Sequence, residues 1–223
     1  MINFQYETFP NFGFIKAVLS DDQIKPIKDE INLIKNNFND ASKCINFLAG
    51  NIEKEYHLKN SHSYIESLLL PLAQAYINAN KYQDYLLLGF KRYNNSKNKI
   101  SEINLIDAWV NFQNKHEFNP VHNHSGFLSF VIWVDIPFLI DDELKQSHTK
   151  DSNAKLSGQF CFVYNDVLGN IKTHSIEADK SYNNGLLLFP AELHHAVYPF
   201  FTSDKQRISV SGNFGYKNLN EPS

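Results

Sequence analysis

Among the nine histidines of this 223-residue chain, His122 and His124 in "NPVHNHSG" stand two positions apart, at the head of the apolar run "FLSFVIWV". Side chains at i and i+2 of an extended chain leave from one face, so these two imidazoles can enter one cavity while Asn123 points away. Two imidazoles make half of a transition-metal site, and an open catalytic site needs a third ligand. The segment "LLLFPAELHHAVYPF" offers one. His194 and His195 are neighbours and face opposite ways in a strand, so at most one of them joins the pair. Twelve residues beyond His195, "RISVSGNF" puts Arg207, Ser209, Ser211 and Asn213 on one face and Ile208, Val210 and Phe214 on the other. A hairpin turning at "FTSDKQ" would carry Arg207 across the ladder towards His195 and set a guanidinium beside the metal.

Bringing together residues so distant in sequence calls for β structure, and the second part of the chain has that texture. "YLLLGFKRYN", "LIDAWVNFQN", "FLSFVIWVDIP", "GQFCFVYND", "NIKTHSIEA", "GLLLFPAELHHAVYPF" and "RISVSGNFGY" are short β-rich runs separated by Gly, Asn, Asp and Pro, a series that predicts a sandwich or jelly roll. The polar stretch "DDELKQSHTKDSNAKLSG" reads as a surface loop between two of them. The first eighty-odd residues differ. Ile24, Ile27, Ile31 and Ile34 recur at helical spacing behind an N-cap at Ser20, with Asp21 and Asp22 in the first turn where negative charge suits the helix dipole. "SYIESLLLPLAQAYINANKY" predicts a second helix, kinked or split at Pro71, and "FGFIKAVL" a leading strand. The expected organisation is a single domain over residues 1–223. Residues 1–85 are helical support and 86–216 form the β core.

Composition narrows the partners. The 24 acidic and 21 basic residues give a net charge of −3 with no basic field, so neither nucleic acid nor an anionic membrane is an expected partner. Cys44 and Cys161 each sit in an apolar context ("CINFL", "FCFV") and read as buried thiols of a reducing compartment, without a disulfide. The opening "MINFQYETFPNF" does not look like a secretion signal, and no apolar run reaches membrane-spanning length. A soluble, cytoplasmic protein is expected. Its aromatic content of 14% would allow an oligomer with a hydrophobic interface.

The string "FNPVHNHSGFLSFVIWVDIP … GLLLFPAELHHAVYPF … RISVSGNF" resembles the Fe(II)- and 2-oxoglutarate-dependent dioxygenases, in particular a prolyl-hydroxylase-like group of bacteria and phages, over about residues 104 to 216. The resemblance implies an α+β, mainly β fold: a double-stranded β-helix, or jelly roll, buttressed by the N-terminal helices. It implies an enzyme whose cofactor is Fe(II) and whose cosubstrate is 2-oxoglutarate. Oxidative decarboxylation of the keto acid would be coupled, with O2, to C–H hydroxylation of an unidentified, peptidyl-type substrate. Carried over position by position, His122 and His195 match the two histidine ligands, and Arg207 with Ser209 matches the clamp for the far carboxylate. A planar guanidinium fork suits that carboxylate better than an ammonium. The family's usual acidic ligand position is occupied by His124, as in the H-x-H subgroup, the alternative being that His124 stands behind the ligands and a carboxylate from elsewhere, or water, completes the coordination. Three neutral imidazoles leave a ferrous ion its full double charge, which a dianionic keto acid would offset.

Asn111, Ser129 and Trp133 stand on strands that flank such a pocket. They are candidates for contact with cosubstrate or substrate as much as for packing. Asn119 and Pro120 read as turn residues before the first ligand. His116, His148 and His174 sit in polar connections, and His57 and His62 in the helical part. Two other readings stay open: a cupin-like three-histidine dioxygenase that uses no keto acid, although the cupin pattern wants a Glu after H-x-H that "HNHSGFLSFVIWVD" lacks, and a non-catalytic jelly-roll binding module.

Overall fold

Ser20 opens the first helix. In the computed structural model of this chain, which describes residues 3, 5–7, 11–44, 48–80 and 102–217, the Ser20 hydroxyl accepts from the Gln23 amide and the Gln23 side chain accepts from the Ser20 amide. This capping box starts α1 (Asp21–Asn36), whose Ile24, Ile27, Ile31 and Ile34 are buried at the predicted spacing. The second helix, α2 (His62–Asn80), runs through Pro71 as one element and is not split there. Pro71 lies on the exposed face, where its missing N–H leaves a carbonyl towards water. Glu30 of α1 ties the two helices together. It accepts from the backbone N–H of Lys59, Asn60 and Ser61 and from the Ser61 hydroxyl at 2.5–2.9 Å, filling the N–H groups that lead into α2.

Among the described residues ten strands form two antiparallel sheets. They are β1 (Ile15–Val18), β2 (Glu55–His57), β3 (Glu102–Gln113), β4 (Asn119–His122), β5 (Leu128–Asp135), β6 (Phe160–Asn165), β7 (Ile171–Ile176), β8 (Gly185–Pro190), β9 (His195–Val197) and β10 (Arg207–Lys217). The larger sheet has the order β1-β8-β5-β10-β3-β2 and the smaller one β4-β9-β6-β7. One core joins α1 and α2 to one face of the larger sheet through Ile24, Ile65, Leu69, Val110, Phe112, Ile132 and Val210. A second core includes Trp133 and Leu187 of the larger sheet and Phe160 and Phe162 of the smaller. The architecture is mainly β, a jelly roll backed by helices, as the sequence predicts.

Three local expectations are corrected. "GLLLFPAELHHAVYPF" is two strands, β8 in the larger sheet and β9 in the smaller. The change of sheet follows Pro190, which has no N–H to extend the ladder. The turn at "FTSDKQ" does not close a hairpin between β9 and β10. β9 pairs with β4 and β6, whereas β10 pairs with β3 and β5, so this segment crosses between sheets. The polar stretch after Leu139 is more than a surface loop. It contains α3 (Ile140–Leu144), whose Glu143 is fully buried and accepts from the backbone N–H of Phe201 and Thr202 and from the Thr202 hydroxyl. The strand expected at "YLLLGFKRYN" lies outside the described residues. β1 forms at "FGFIKAVL", and both cysteines are buried free thiols. Among the described residues no helix is long and apolar enough to cross a membrane.

Candidate metal centre

The two sheets face one another around a cavity, and the strand alternation decides what enters it. β3 sends in Trp109, Asn111 and Gln113, β10 Arg207, Ser209 and Ser211, and β5 Val131 and Trp133. The smaller sheet contributes His122, Phe160, His195 and Val197. Leu48, Ala49 and Ile52, ahead of β2, close one side together with Glu55. The free volume is about 40 Å³, room for about three waters.

His122, His124 and His195 come together at this cavity. Their candidate ligand nitrogens all lie within 4.8 Å of one another, and the ring centroids are 4.3 Å (His122 to His195), 5.0 Å (His122 to His124) and 5.0 Å (His124 to His195) apart. His122, the last residue of β4, is paired with His195, the first of β9. His124 lies beyond the end of β4, and its backbone N–H donates to Ala191 at 2.9 Å. The expected strand alternation thus ends before the second histidine, yet the rings converge.

Backbone carbonyls orient two of the rings. His122 Nδ1 is 2.7 Å from the Pro120 oxygen and His195 Nδ1 is 2.9 Å from the Leu193 oxygen. A carbonyl can only accept, so each Nδ1 carries the proton and each Nε2 keeps its lone pair for a metal. His195 is 3% exposed, stacked on Phe160 at 5.2 Å and edge-on to Phe189 at 5.0 Å. Burial lowers the pKa of all three rings, that of His124 to about 4 and that of His195 to about 3, and the other imidazoles add to the shift. The set is therefore neutral near pH 7, the state that binds metal. Three close, neutral imidazoles, His195 buried and His122 and His124 half-buried, fit a ferrous ion and leave its charge uncompensated. His194 is exposed and outside the group.

Arg207 reaches the cavity from the opposite sheet. It is 2% exposed, and its Nε and Nη2 both donate to Gln113 Oε1 at 2.9 and 2.6 Å. Nη1 donates to the Gly158 carbonyl and Nη2 also to that of Tyr198. Among the described residues no carboxylate makes a salt bridge with it. Burial pushes its pKa down to about 9, with Glu143 acting in the opposite direction. Ser209 and Asn111 line the cavity beside it, and Asn111 Nδ2 lies 3.3 Å from Ser209 Oγ and 3.4 Å from Ser211 Oγ. Ser129 is buried but not among the lining residues. Its hydroxyl donates to Asn213 Oδ1 at 2.6 Å. Trp133 does line the cavity.

Sequence reading passed over Gln113, Glu55 and the lining role of Asn119. Gln113 carries a signal, since it follows Trp109 and Asn111 at period two on β3. Glu55 carries none, because "EKEYH" looks like any charged connection.

Comparisons with known proteins agree with this geometry. The family model described as "Putative 2OG-Fe(II) oxygenase" matches residues 107–213, just under half of the chain, and its span contains all three histidines and Arg207. A comparison with curated proteins finds no match. Among solved structures, a Pseudomonas putida prolyl-4-hydroxylase is similar at a TM-score of 0.54 and 15% identity, over 92% of this chain and 94% of that one. AviO1 from Streptomyces viridochromogenes Tue57 is similar at 0.51 and 12% identity, over 95% and 92%. At these identities the likeness speaks to the fold.

Proposed function

We propose that the chain is a hydroxylase of the Fe(II)- and 2-oxoglutarate-dependent oxygenases, enzymes that use ferrous iron, 2-oxoglutarate and O2, a reading that the family model over residues 107–213 supports. In this reading His122, His124 and His195 hold the iron, and Arg207, with Ser209 and Asn111 beside it, binds the far carboxylate of the keto acid. The observation that carries the reading is the charge pattern of the cavity. A buried guanidinium without a salt-bridge partner among the described residues shares one cavity with three neutral imidazoles. A ferrous ion on those imidazoles would keep its double charge, so a dianion suits the part of the cavity between the histidines and Arg207, away from the carboxyl of Glu55.

Gln113 Oε1 now accepts from Nε and Nη2 together, the place a carboxylate oxygen takes on a guanidinium fork. The keto acid would replace this neutral acceptor with an anion, and the Gln113 side chain would turn aside. Ferrous iron and 2-oxoglutarate, once bound, supply the oxidising chemistry that puts an oxygen atom of O2 into a C–H bond. The chain contributes a dry site: Trp133, Phe160, Phe189 and Val197 wall the space beside His195. The fold shared with a prolyl-4-hydroxylase makes a peptidyl side chain the first substrate to try.

The test is anaerobic addition of ferrous iron and 2-oxoglutarate, followed by admission of O2. A visible charge-transfer band should form and succinate should follow. Arg207→Ala should weaken keto-acid affinity about a hundredfold, as expected for losing a bidentate charged pair. Identical titrations in the native and Arg207→Ala proteins would remove the clamp. Iron binding without band or succinate would move the reading to a three-histidine dioxygenase that takes no keto acid.

A further inference from the structure

Among the described residues three glutamates are buried, Glu30 at 6%, Glu55 at 5% and Glu143 at 0% exposure. Two are fully employed: Glu30 accepts four hydrogen bonds at the start of α2, and Glu143 accepts three from Phe201 and Thr202. Glu55 differs, because its Oε1 is buried and has no hydrogen-bond partner among the described residues. Asn111 Oδ1 and Asn119 Oδ1 share this condition, and among the described residues these are the buried side-chain polar atoms left unmatched. All three residues line the cavity of the three histidines. Unmatched buried acceptors are rare in a folded protein and call for an explanation at each site. Three of them on one cavity point to a donor that arrives from outside.

Geometry links the three. Glu55 and Asn111 are direct partners across β2 and β3. Gly50 packs against the other two: a Cβ there would stand 2.6 Å from Asn119 Oδ1 and 3.1 Å from Glu55 Oε1. Asn111 directs its Nδ2 to Ser209 and Ser211 on β10, and its strand partner on the other edge is Glu55. We propose that Glu55, Asn111 and Asn119 form a substrate subsite for a primary ammonium group carried on an alkyl chain. An ammonium has three N–H donors and no acceptor, so it matches three oxygens and neutralises one carboxylate. A hydroxyl brings a single donor together with new lone pairs, and a carboxylate brings only repulsion. The indoles of Trp109 and Trp133, on the same cavity, suit a cation as well. Burial, with Glu117 nearby, lifts the Glu55 carboxyl to about 7 against a lowering by Lys43, as fits an acid whose charged form lacks its counterpart. This inference deepens the hydroxylase reading and rests on it for its consequence: the ammonium would hold the substrate while a C–H bond of its chain faces the iron.

The experiment uses the full chain without metal or keto acid. Both tryptophans of the protein line the cavity, so their fluorescence follows titrations with n-butylammonium chloride, n-butanol and sodium butyrate at constant ionic strength. In the native protein the ammonium should bind about tenfold or more tightly than the alcohol, and butyrate more weakly than either. Glu55→Gln should lower the ammonium to the level of the alcohol. Equal binding of ammonium and alcohol by the native protein overturns the subsite, a comparison that stands however the variant folds. So does unchanged ammonium affinity in Glu55→Gln. Amine discrimination without a ferrous keto-acid band would sink the hydroxylase reading and leave the subsite; a band without discrimination would do the reverse.

Discussion

The two faces of the six-stranded sheet are made by the same strands and obey different rules. On β3, Ala108, Val110 and Phe112 turn to the helices, while Trp109, Asn111 and Gln113 turn to the smaller sheet. On β10, Ile208 and Val210 oppose Arg207, Ser209 and Ser211 in the same way. The helix side is apolar and closes on itself. Among the described residues, the other side holds a guanidinium with no salt bridge, two imidazoles whose Nδ1 is held by a carbonyl and a third beside them, and acceptor oxygens without donors. Trp109, Asn111, Gln113 and Arg207 on the second side are as buried as the apolar residues of the first, so burial alone does not distinguish them. Satisfaction does: the first face is complete as folded, and the second is complete only with ligands.

Substitutions on the two faces should therefore fail in different assays. The largest effect is expected from His195→Ala, which removes a ligand at the centre of the group and should abolish ferrous iron binding in equilibrium titration while the circular dichroism spectrum stays native. Retained iron affinity would mean that the three rings do not act together. On the dry face, Phe112→Ala should cost about 3–5 kcal/mol in denaturant unfolding and leave iron affinity of the folded fraction unchanged.

The smallest and sharpest contrast sets Glu30 against Glu55. Glu30→Gln should lose about 1–3 kcal/mol, because backbone N–H groups at α2 lose a charged acceptor, whereas Glu55→Gln at pH 8 should be neutral or stabilising. The pH dependence follows from the raised carboxyl. Its ordinary value is near 4.5 and its folded value about 7, so between them the folded state holds a proton that the unfolded state has released. Stability should fall as pH rises through that window, by at most about 3 kcal/mol. The histidines, with pKa values lowered, act in the opposite sense over a partly shared range, but they are common to both proteins. The native-minus-Glu55→Gln difference isolates the carboxyl, and a flat difference from pH 4.5 to 7 would show that Glu55 is not buried in its charged form.

How much could be read in advance follows from how local each cause is. The capping box at Ser20 and the isoleucine spacing of α1 are decided within one turn or two, and both appear as expected. The alternation on β10 is equally local. Register and sheet membership are not. Whether β9 pairs with β10 or with β4 depends on where Pro190 ends one ladder, and "FTSDKQ" has the composition of a hairpin turn although it crosses between sheets. Glu143 and Glu55 both sit in polar sequence that predicts solvent. Glu143 is buried because its carboxylate serves the N–H groups of Phe201 and Thr202, some 58 residues away. Nothing near it in the chain reveals that partner.

The sequence by itself determined the chemical inventory and its phase: which imidazoles can share a face, which strand carries the arginine, and which side of each helix is apolar. Those are properties of residue type and backbone period, fixed over a few positions. The tertiary structure decided the encounters, namely His122 opposite His195, Arg207 held by Gln113, and Glu55 opposite Asn111. These depend on the pairing of segments far apart in the chain. Such pairing is selected by the packing of the whole, where one shift in register would turn every one of these side chains to the other face.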